Sequence, residues 1–224
     1  MKHLDKDLLR LENRIAELGG LIIESTNRCI RCIETFDKTL TAEIVDNESV
    51  INEMEVDIEE DCLKILALHQ PVAFDLRFII VVLKVNNDLE RMGDQALNIA
   101  ERINFLSDLD RLVLDLDFNT MGAICRNMVE KSLEALKQRD VERAQEVVDM
   151  DDEVDALHSR NYRVLQRAME VDPKIVTTAI SYLTISNNIE RLADLATNIA
   201  EEIIFMEGGQ VVRHQASEES LQSL

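Results

Sequence analysis

A stretch of nineteen residues, Asn87 to Phe105, returns as Asn187 to Phe205, one hundred positions later. A repeat at that distance is a duplicated structural unit rather than a local period, so whatever one half of the chain folds into, the other half must fold into as well. Asn87, Glu90, Arg91, Asp94, Ala96, Asn98, Ile99, Ala100, Glu101, Ile103 and Phe105 recur at 187, 190, 191, 194, 196, 198, 199, 200, 201, 203 and 205. Core packing accounts for Ala96, Ile99, Ala100, Ile103 and Phe105. It makes no demand on Glu90, Asp94, Asn98 and Glu101, which are polar and repeat all the same, so the functional reading starts from them.

The duplication extends over most of the chain. Leu18-Gly19 aligns with Met121-Gly122, Asp37 with Asp140 and Val45-Asp46 with Val148-Asp149 at an offset of 103, and Pro71 has its counterpart in Pro173, after which the offset is 100. With two prolines, six glycines and no tryptophan in 224 residues, and with abundant Leu, Ile, Ala and Glu, the composition is that of a helical chain. Leu11, Ile15, Leu18, Ile22, Cys29 and Ile33 keep the three-and-four spacing of an amphipathic helix over about 8–36. A second helix is predicted from Thr41, as N-cap, to His69, where Pro71 stops it and opens a third that ends near Phe105. The β-branched run Ile79 to Val82 suits a strand by propensity, but no partner strand exists for it. Helices four to six are predicted over about 117–138, 141–171 and 174–206, with Gly208-Gly209 as a stop. Short connections between long helices make antiparallel neighbours. The expected fold is all-α: two tandem three-helix bundles over residues 1–106 and 117–206, joined by an Asp/Leu-alternating linker at 107–116 and followed by a polar tail at 207–224.

A formal charge of −20 without any Lys/Arg cluster repels phosphate backbones and excludes direct nucleic-acid binding, while it suits cations and basic partners. No apolar run approaches the roughly 20 residues needed to span a bilayer, and the start of the chain, Met1 to Asp7, has no apolar signal segment. A cytoplasmic protein that does not insert into membranes is expected, with Cys29, Cys32, Cys62 and Cys125 as reduced thiols and the Cys29-x-x-Cys32 pair as two packed helix residues.

At about 100° per residue, Leu89, Met92, Ala96, Ile99 and Ile103 gather on one side of helix three, and Glu90, Asp94 and Glu101 about 150° away. A solvated acidic face would look the same. Residues equidistant from an antiparallel bend, however, stand level with one another. Asn52 and Glu90 are each nineteen positions from Pro71, and Glu48 and Asp94 each twenty-three. In the second half Asp155 pairs with Glu190 and Asp151 with Asp194 about the Asp172-Pro173 bend. Each half thus gathers four oxygen-bearing groups, whose like charges repel unless a cation sits among them. Carboxylates without thiolates suit hard divalent or trivalent ions: iron, manganese or magnesium. His158, three residues after Asp155, is a further candidate, although its first-half equivalent is Glu55.

Two motifs bring a family into view. Gln70-Pro71-Val72-Ala73-Phe74-Asp75-Leu76-Arg77 looks like Q-P-x-A-x-D-L-R, and Leu89-Glu90-Arg91-Met92-Gly93-Asp94 with Asn98-Ile99 resembles an L-E-R-I-G-D signature, repeated as Ile189 to Asp194 with Asn198-Ile199. Over nearly its whole length the chain resembles the PhoU family, accessory regulators of bacterial phosphate transport and phosphate signalling. The resemblance implies two three-helix bundles with E(D)-x-x-x-D motifs that hold multinuclear metal clusters in some members. Its motif positions fall on Glu48, Glu90, Asp94, Asp151, Asp155, Glu190 and Asp194, while Asn52 departs from the pattern. It further implies a homodimer or larger assembly without catalytic activity, a negative regulator linking the ATPase of the phosphate importer to the sensor kinase of the phosphate regulon. Two alternatives stand beside it. A di-metal carboxylate oxidase or storage bundle needs inward-facing Glu and E-x-x-H pairs, and the chain has no E-x-x-H. A metal-free helical scaffold leaves the levelled acids unexplained.

Overall fold

Aspartates start four of the helical segments. In the computed structural model, which describes residues 2–208, Asp37, Asp117, Asp140 and Asp172 accept hydrogen bonds from the backbone N–H of Thr39, Thr120, Arg143 and Lys174, donors the helix itself leaves unpaired. The elements are α1 (Lys2–Thr35), α2 (Lys38–His69), α3 (Ala73–Leu106), α4 (Phe118–Gln138), α5 (Val141–Val171) and α6 (Val176–Gly208), with a 3₁₀ turn at Pro173–Ile175. The chain turns into α2 at Phe36, which has φ 58°, so Asp37 caps that helix in place of the expected Thr41. Thr41 is buried and donates to the Lys38 carbonyl at 2.8 Å. The polar tail expected beyond residue 208 lies outside the described residues.

Each half is a bundle of three mutually packed helices, α1–α2–α3 and α4–α5–α6, as the duplicated sequence requires. The halves lie side by side along two seams, α3 on α6 and α1 on α4, and one continuous apolar cluster fills both. This position explains why the β-branched run is helical. Ile79, Val81, Val82 and Val85 are all fully buried, because α3 has neighbours on several sides and a helix so placed can be apolar nearly all round. No strand occurs among the described residues. In the linker, Leu112, Leu114 and Leu116 pack against the core while Val113 and Asp115 face out, the period-two alternation of an extended segment.

Both seams run antiparallel. On α3–α6, Lys84 reaches Glu202 at 2.9 Å and Arg77 Nε donates to the Met206 carbonyl at 3.2 Å. On α1–α4 the two halves interlock through repeat-equivalent residues: Leu133 lies over Gly19, and Ile30 lies over Gly122. A Cβ at either glycine would stand 3.0 Å from the branched side chain above it. Helical glycine costs about 1 kcal/mol relative to alanine, and here that cost permits the close approach of the bundles.

The two glycines should nevertheless respond differently to substitution. Leu133 meets the new methyl with the end of a flexible side chain, whereas Ile30 meets it with a β-branched one that is stiff at χ1. Gly19→Ala should be near neutral, its helix gain offset by crowding. Gly122→Ala should destabilise by about 1–2 kcal/mol. Gly20→Ala, with nothing within 4 Å of its Cβ, should stabilise by about 0.5–1 kcal/mol. Urea denaturation of the three variants gives this order directly, and a Gly122→Ala protein more stable than wild type would contradict the interlock.

Candidate metal centre

Because α5 runs antiparallel to α6, the acids of the second half meet as their spacing from the bend requires. Asp155, Glu190 and Asp194 each offer a carboxylate oxygen within 4.8 Å of the other two. Asp151 stands against the same group, and its Oδ1 is buried without a hydrogen-bond partner. Thr197 Oγ1, also buried, is equally unpartnered, so no hydrogen bond of ordinary geometry joins the two although they lie close. An orphaned carboxylate oxygen beside three converging ones is a donor set for a hard cation, since unmatched buried acceptors are costly.

The protonation behaviour carries the same strain. Burial, then the charges of Asp194 and Asp155, push the Asp151 carboxyl up to about 6. Burial, then Glu190 and Asp155, push Asp194 up to about 6 against the opposing pull of Arg191. Burial and Asp155 raise Glu190 as well.

In the first half Glu48 and Asn52 pair with each other, Asn52 Nδ2 donating to Glu48 Oε1 at 2.9 Å. Glu48, Glu90 and Asp94 are half-buried on the facing surfaces of α2 and α3, and burial raises both Glu48 and Glu90. After burial and Asp94, the next influence raising Glu90 is Glu55, a residue that sequence reasoning left out of the site. Glu55 stands one turn beyond Asn52, and the buried Asn86 Nδ2 donates to its backbone carbonyl at 2.9 Å and lies 3.5 Å from its Oε1. A fourth carboxylate is therefore present in the first half, displaced from position 52 to 55. The signal that could have found it was the i, i+3 spacing on the same helix face. Its second-half equivalent, His158, is half-buried with Nδ1 3.0 Å from Ser186 Oγ and is not among the three residues whose ligand atoms converge.

The glycine of the L-E-R-M-G-D sequence also has a local reason. A Cβ at Gly93 would lie 3.2 Å from Glu48 Oε2. In the second half the equivalent residue is Ala193, and the facing acid is the shorter Asp151. The four cysteines are buried and free. Burial pushes the Cys32 thiol to about 11 and that of Cys125 to about 12, which keeps both protonated. Of the remaining duplicated polar residues, Asn198 and Glu201 do not join the acid patch but line a cleft between α3 and α6.

With this geometry in view, the chain can be set beside known proteins. A family model described as the PhoU domain matches twice, at residues 15–103 and 118–203. A phosphate-specific transport system accessory protein PhoU homolog from Zymomonas mobilis is 34% identical over 210 residues, 94% of this chain and 89% of that protein. A homolog of the same description from Aquifex aeolicus is 34% identical over 212 residues, covering 95% of this chain and 96% of that one. The crystal structure of PhoU from Pseudomonas aeruginosa superposes with a TM-score of 0.89 at 30% identity, over 92% of this chain and 99% of that one. The phosphate transport system regulatory protein PhoU from Streptococcus pneumoniae gives 0.82 at 27% identity, over 93% and 99%.

The raised acids set a pH dependence. Asp151 and Asp194 take up a proton near pH 6 in the folded chain and near the ordinary 3.8 when unfolded. The folded state therefore binds more protons between these values, and its stability grows as the pH falls through about 6 and is lost again as the pH rises. Thermal melts of chelator-treated protein should show a higher midpoint at about pH 5 than at about pH 7.5, and the Asp151→Asn/Asp194→Asn protein a flatter profile. A wild-type midpoint that falls steadily on acidification would refute this account of the patch.

Proposed function

Since the chain belongs to the PhoU family, we propose that this phosphate-transport accessory protein is a signalling adaptor, a negative regulator of phosphate uptake and of the phosphate-starvation response. The observation that supports the reading most directly is the match of both halves to the PhoU domain, with acids on the α2–α3 pair of one half and the α5–α6 pair of the other. Helices such as α2, 32 residues long and hence about 48 Å by the usual rise, give rigid faces suited to docking. Among the described residues no helix is long and apolar enough to cross a membrane. In this reading the protein works in the cytoplasm as a homodimer, binding the ATPase of the phosphate importer and the sensor kinase of the phosphate regulon rather than catalysing a reaction. Exposed acids favour basic patches on those partners, so docking weakens as salt rises.

The acid patches have a part in this proposal. Asp155, Glu190 and Asp194, with Asp151 beside them, would hold iron, manganese or magnesium, and Glu48, Glu55, Glu90 and Asp94 would form the first-half counterpart. A bound cation would relieve the repulsion that burial has concentrated there and stiffen the α5–α6 and α2–α3 faces presented to partners. The alternative of a di-metal oxidase has less support, because those sites lie in a bundle core, and here Asp155 and Asp194 are exposed.

Two measurements test the proposal. Protein purified without chelator should carry metal by elemental analysis, and Asp194→Asn should lose it while remaining folded, since the substitution also removes a repelling charge. Wild type that carries no metal, and whose melting temperature ignores added iron, manganese and magnesium, would end the cation reading. Deletion of the gene should leave phosphate-starvation genes expressed when phosphate is plentiful, and the purified chain should capture the ATPase or the kinase. Normal repression in a deletion strain with no second copy would end the regulatory one.

A further inference from the structure

Helix α4 is much shorter than the helix it packs on in the other half. It has 21 residues against the 34 of α1, and it stops at Gln138, next to Arg139, which meets Glu12 of α1 at 2.7 Å. The N-terminal turns of α1 therefore have no α4 beside them, and the α1–α4 seam opens there into a groove of about 600 Å³. Ile15 and Phe78 are its buried floor, and Ile23, Leu133 and Leu136 its half-buried walls. Gly20 adds bare backbone, with nothing within 4 Å of where a Cβ would stand. Apolar recesses of roughly 300–1,000 Å³ are the usual size of ligand sites.

The chain itself supplies an occupant. Helix α6 ends at Gly208, beside the open end of this groove. Arg77 Nε donates to the Met206 carbonyl at 3.2 Å, and the same guanidinium is 5.8 Å from the centre of the Phe74 ring. Arg139, on the groove side, lies 4.9 Å from that ring and 5.7 Å from the ring of Phe78, and Phe78 and Glu12 both line the groove. A single ring, Phe74, thus stands between the last turn of α6 and the groove. The residues that follow are Gly209-Gln210-Val211-Val212-Arg213. We propose that Val211 and Val212 seat in the α1–α4 groove of their own chain, with Arg213 at its acidic rim.

Reach, shape and charge agree on this. An extended chain covers about 3.3 Å per residue, so residues 209–212 span about 13 Å, enough to pass Phe74 and enter. The groove leads from Glu12 toward Ile23, back from the end at which α6 finishes. Gly208-Gly209 allows that reversal, because glycine adopts the left-handed conformations a tight turn needs. Successive side chains of an extended segment point to opposite sides, and a groove between two helices has a wall on each, so adjacent valines are both covered. Both are β-branched, which suits them to extended backbone. On the rim, Glu12 is engaged by Arg139 and Glu134 by Arg143, whereas Glu130 has no ion pair among the described residues. Lys137, the one cation of the lining, stands two turns away, about 10 Å along α4, too far to neutralise it. Arg213 is the first charged residue after Glu207, and no acid follows it before Glu218, so a locally basic stretch of a chain of charge −20 is brought to an unpaired carboxylate.

The tether favours this occupant over a separate one. A short linker holds its segment at an effective concentration in the millimolar range, so contacts too weak to retain a free peptide suffice. A second copy of the chain offers the same residues only at its bulk concentration.

The inference goes beyond the adaptor reading and is tested without partners or metal, on purified full-length protein. The four native cysteines are buried, so a thiol introduced at the exposed Ala16, which lines the groove, is the one a maleimide reaches. Labelling of Ala16→Cys protein should be about tenfold slower than when Val211→Asp and Val212→Asp are added. Glu17→Cys, exposed beside it but outside the groove, should label at one rate in both backgrounds. Arg213→Gln should speed labelling of Ala16→Cys protein about twofold, the worth of an exposed ion pair. Mild oxidation of the Ala16→Cys/Val212→Cys protein in dilute solution should give a cross-link within one chain. Labelling at Ala16→Cys that ignores the two aspartates, an equal response at Glu17→Cys, or no cross-link would each overturn the proposal. So would a cross-link between chains, which would give the groove to a second copy.

Discussion

Helix α3 packs on α1, α2 and α6, and α6 packs on α4, α5 and α3, so apolar side chains must cover most of the circumference of both. Of the residues of α6, Ile185, Ile189, Leu192, Ala193, Leu195, Ala196, Ile199, Ala200 and Ile203 are all within a few per cent of full burial. What remains for polar groups is narrow strips, and eight of the duplicated polar residues divide between two of them. Glu90, Asp94 and their copies occupy the strip facing α2 or α5, and Asn87, Arg91, Asn198 and Glu201 occupy the seam. Partial burial with like-charged neighbours is what raises the proton affinity of Glu90, Glu190 and Asp194.

The halves share a plan but have been adjusted separately. Where the first has Glu48 it has Gly93 opposite, and where the second has the shorter Asp151 it has Ala193, so the length of the acid and the room on the facing helix change together. Where the second half has Asp155, the first has Asn52 and recovers a carboxylate one turn later at Glu55, whose backbone carbonyl accepts from Asn86. His158 and Ser186 take the places of Glu55 and Asn86 in the second half. Each half therefore places four carboxylates on one helix pair by a different route, although among the described residues only Asp155, Glu190 and Asp194 bring ligand atoms within 4.8 Å of one another.

The two bundles come together by a small-for-large exchange. Gly19 and Gly122 occupy equivalent places in the repeat, and so do Ile30 and Leu133, so each half supplies one glycine and one branched side chain to the α1–α4 seam. Self-complementarity of this kind is the rule for symmetric dimers. Here it operates within one chain and fixes the antiparallel relation of the halves on which the α3–α6 cleft depends.

The repeat, the two proline bends and the spacing of apolar residues determined the helices, their order and the pairing of acids across each bend, because those properties follow from periodicity and from distance along the chain. The same information placed Glu48, Glu90, Asp94, Asp151, Asp155, Glu190 and Asp194 on facing surfaces of neighbouring helices. It did not reach Glu55, because a strict match to the motif looked for an acid at 52 and not one turn away. Nor did it show what Asn87, Arg91, Asn198 and Glu201 have in common: they stand over one hundred residues apart in pairs, and no rule of local spacing relates one bundle to the other. That relation was decided by tertiary packing, in which two glycines allow α1 and α4 to approach and the apolar surfaces of α3 and α6, too wide to be covered within one bundle, are buried against each other.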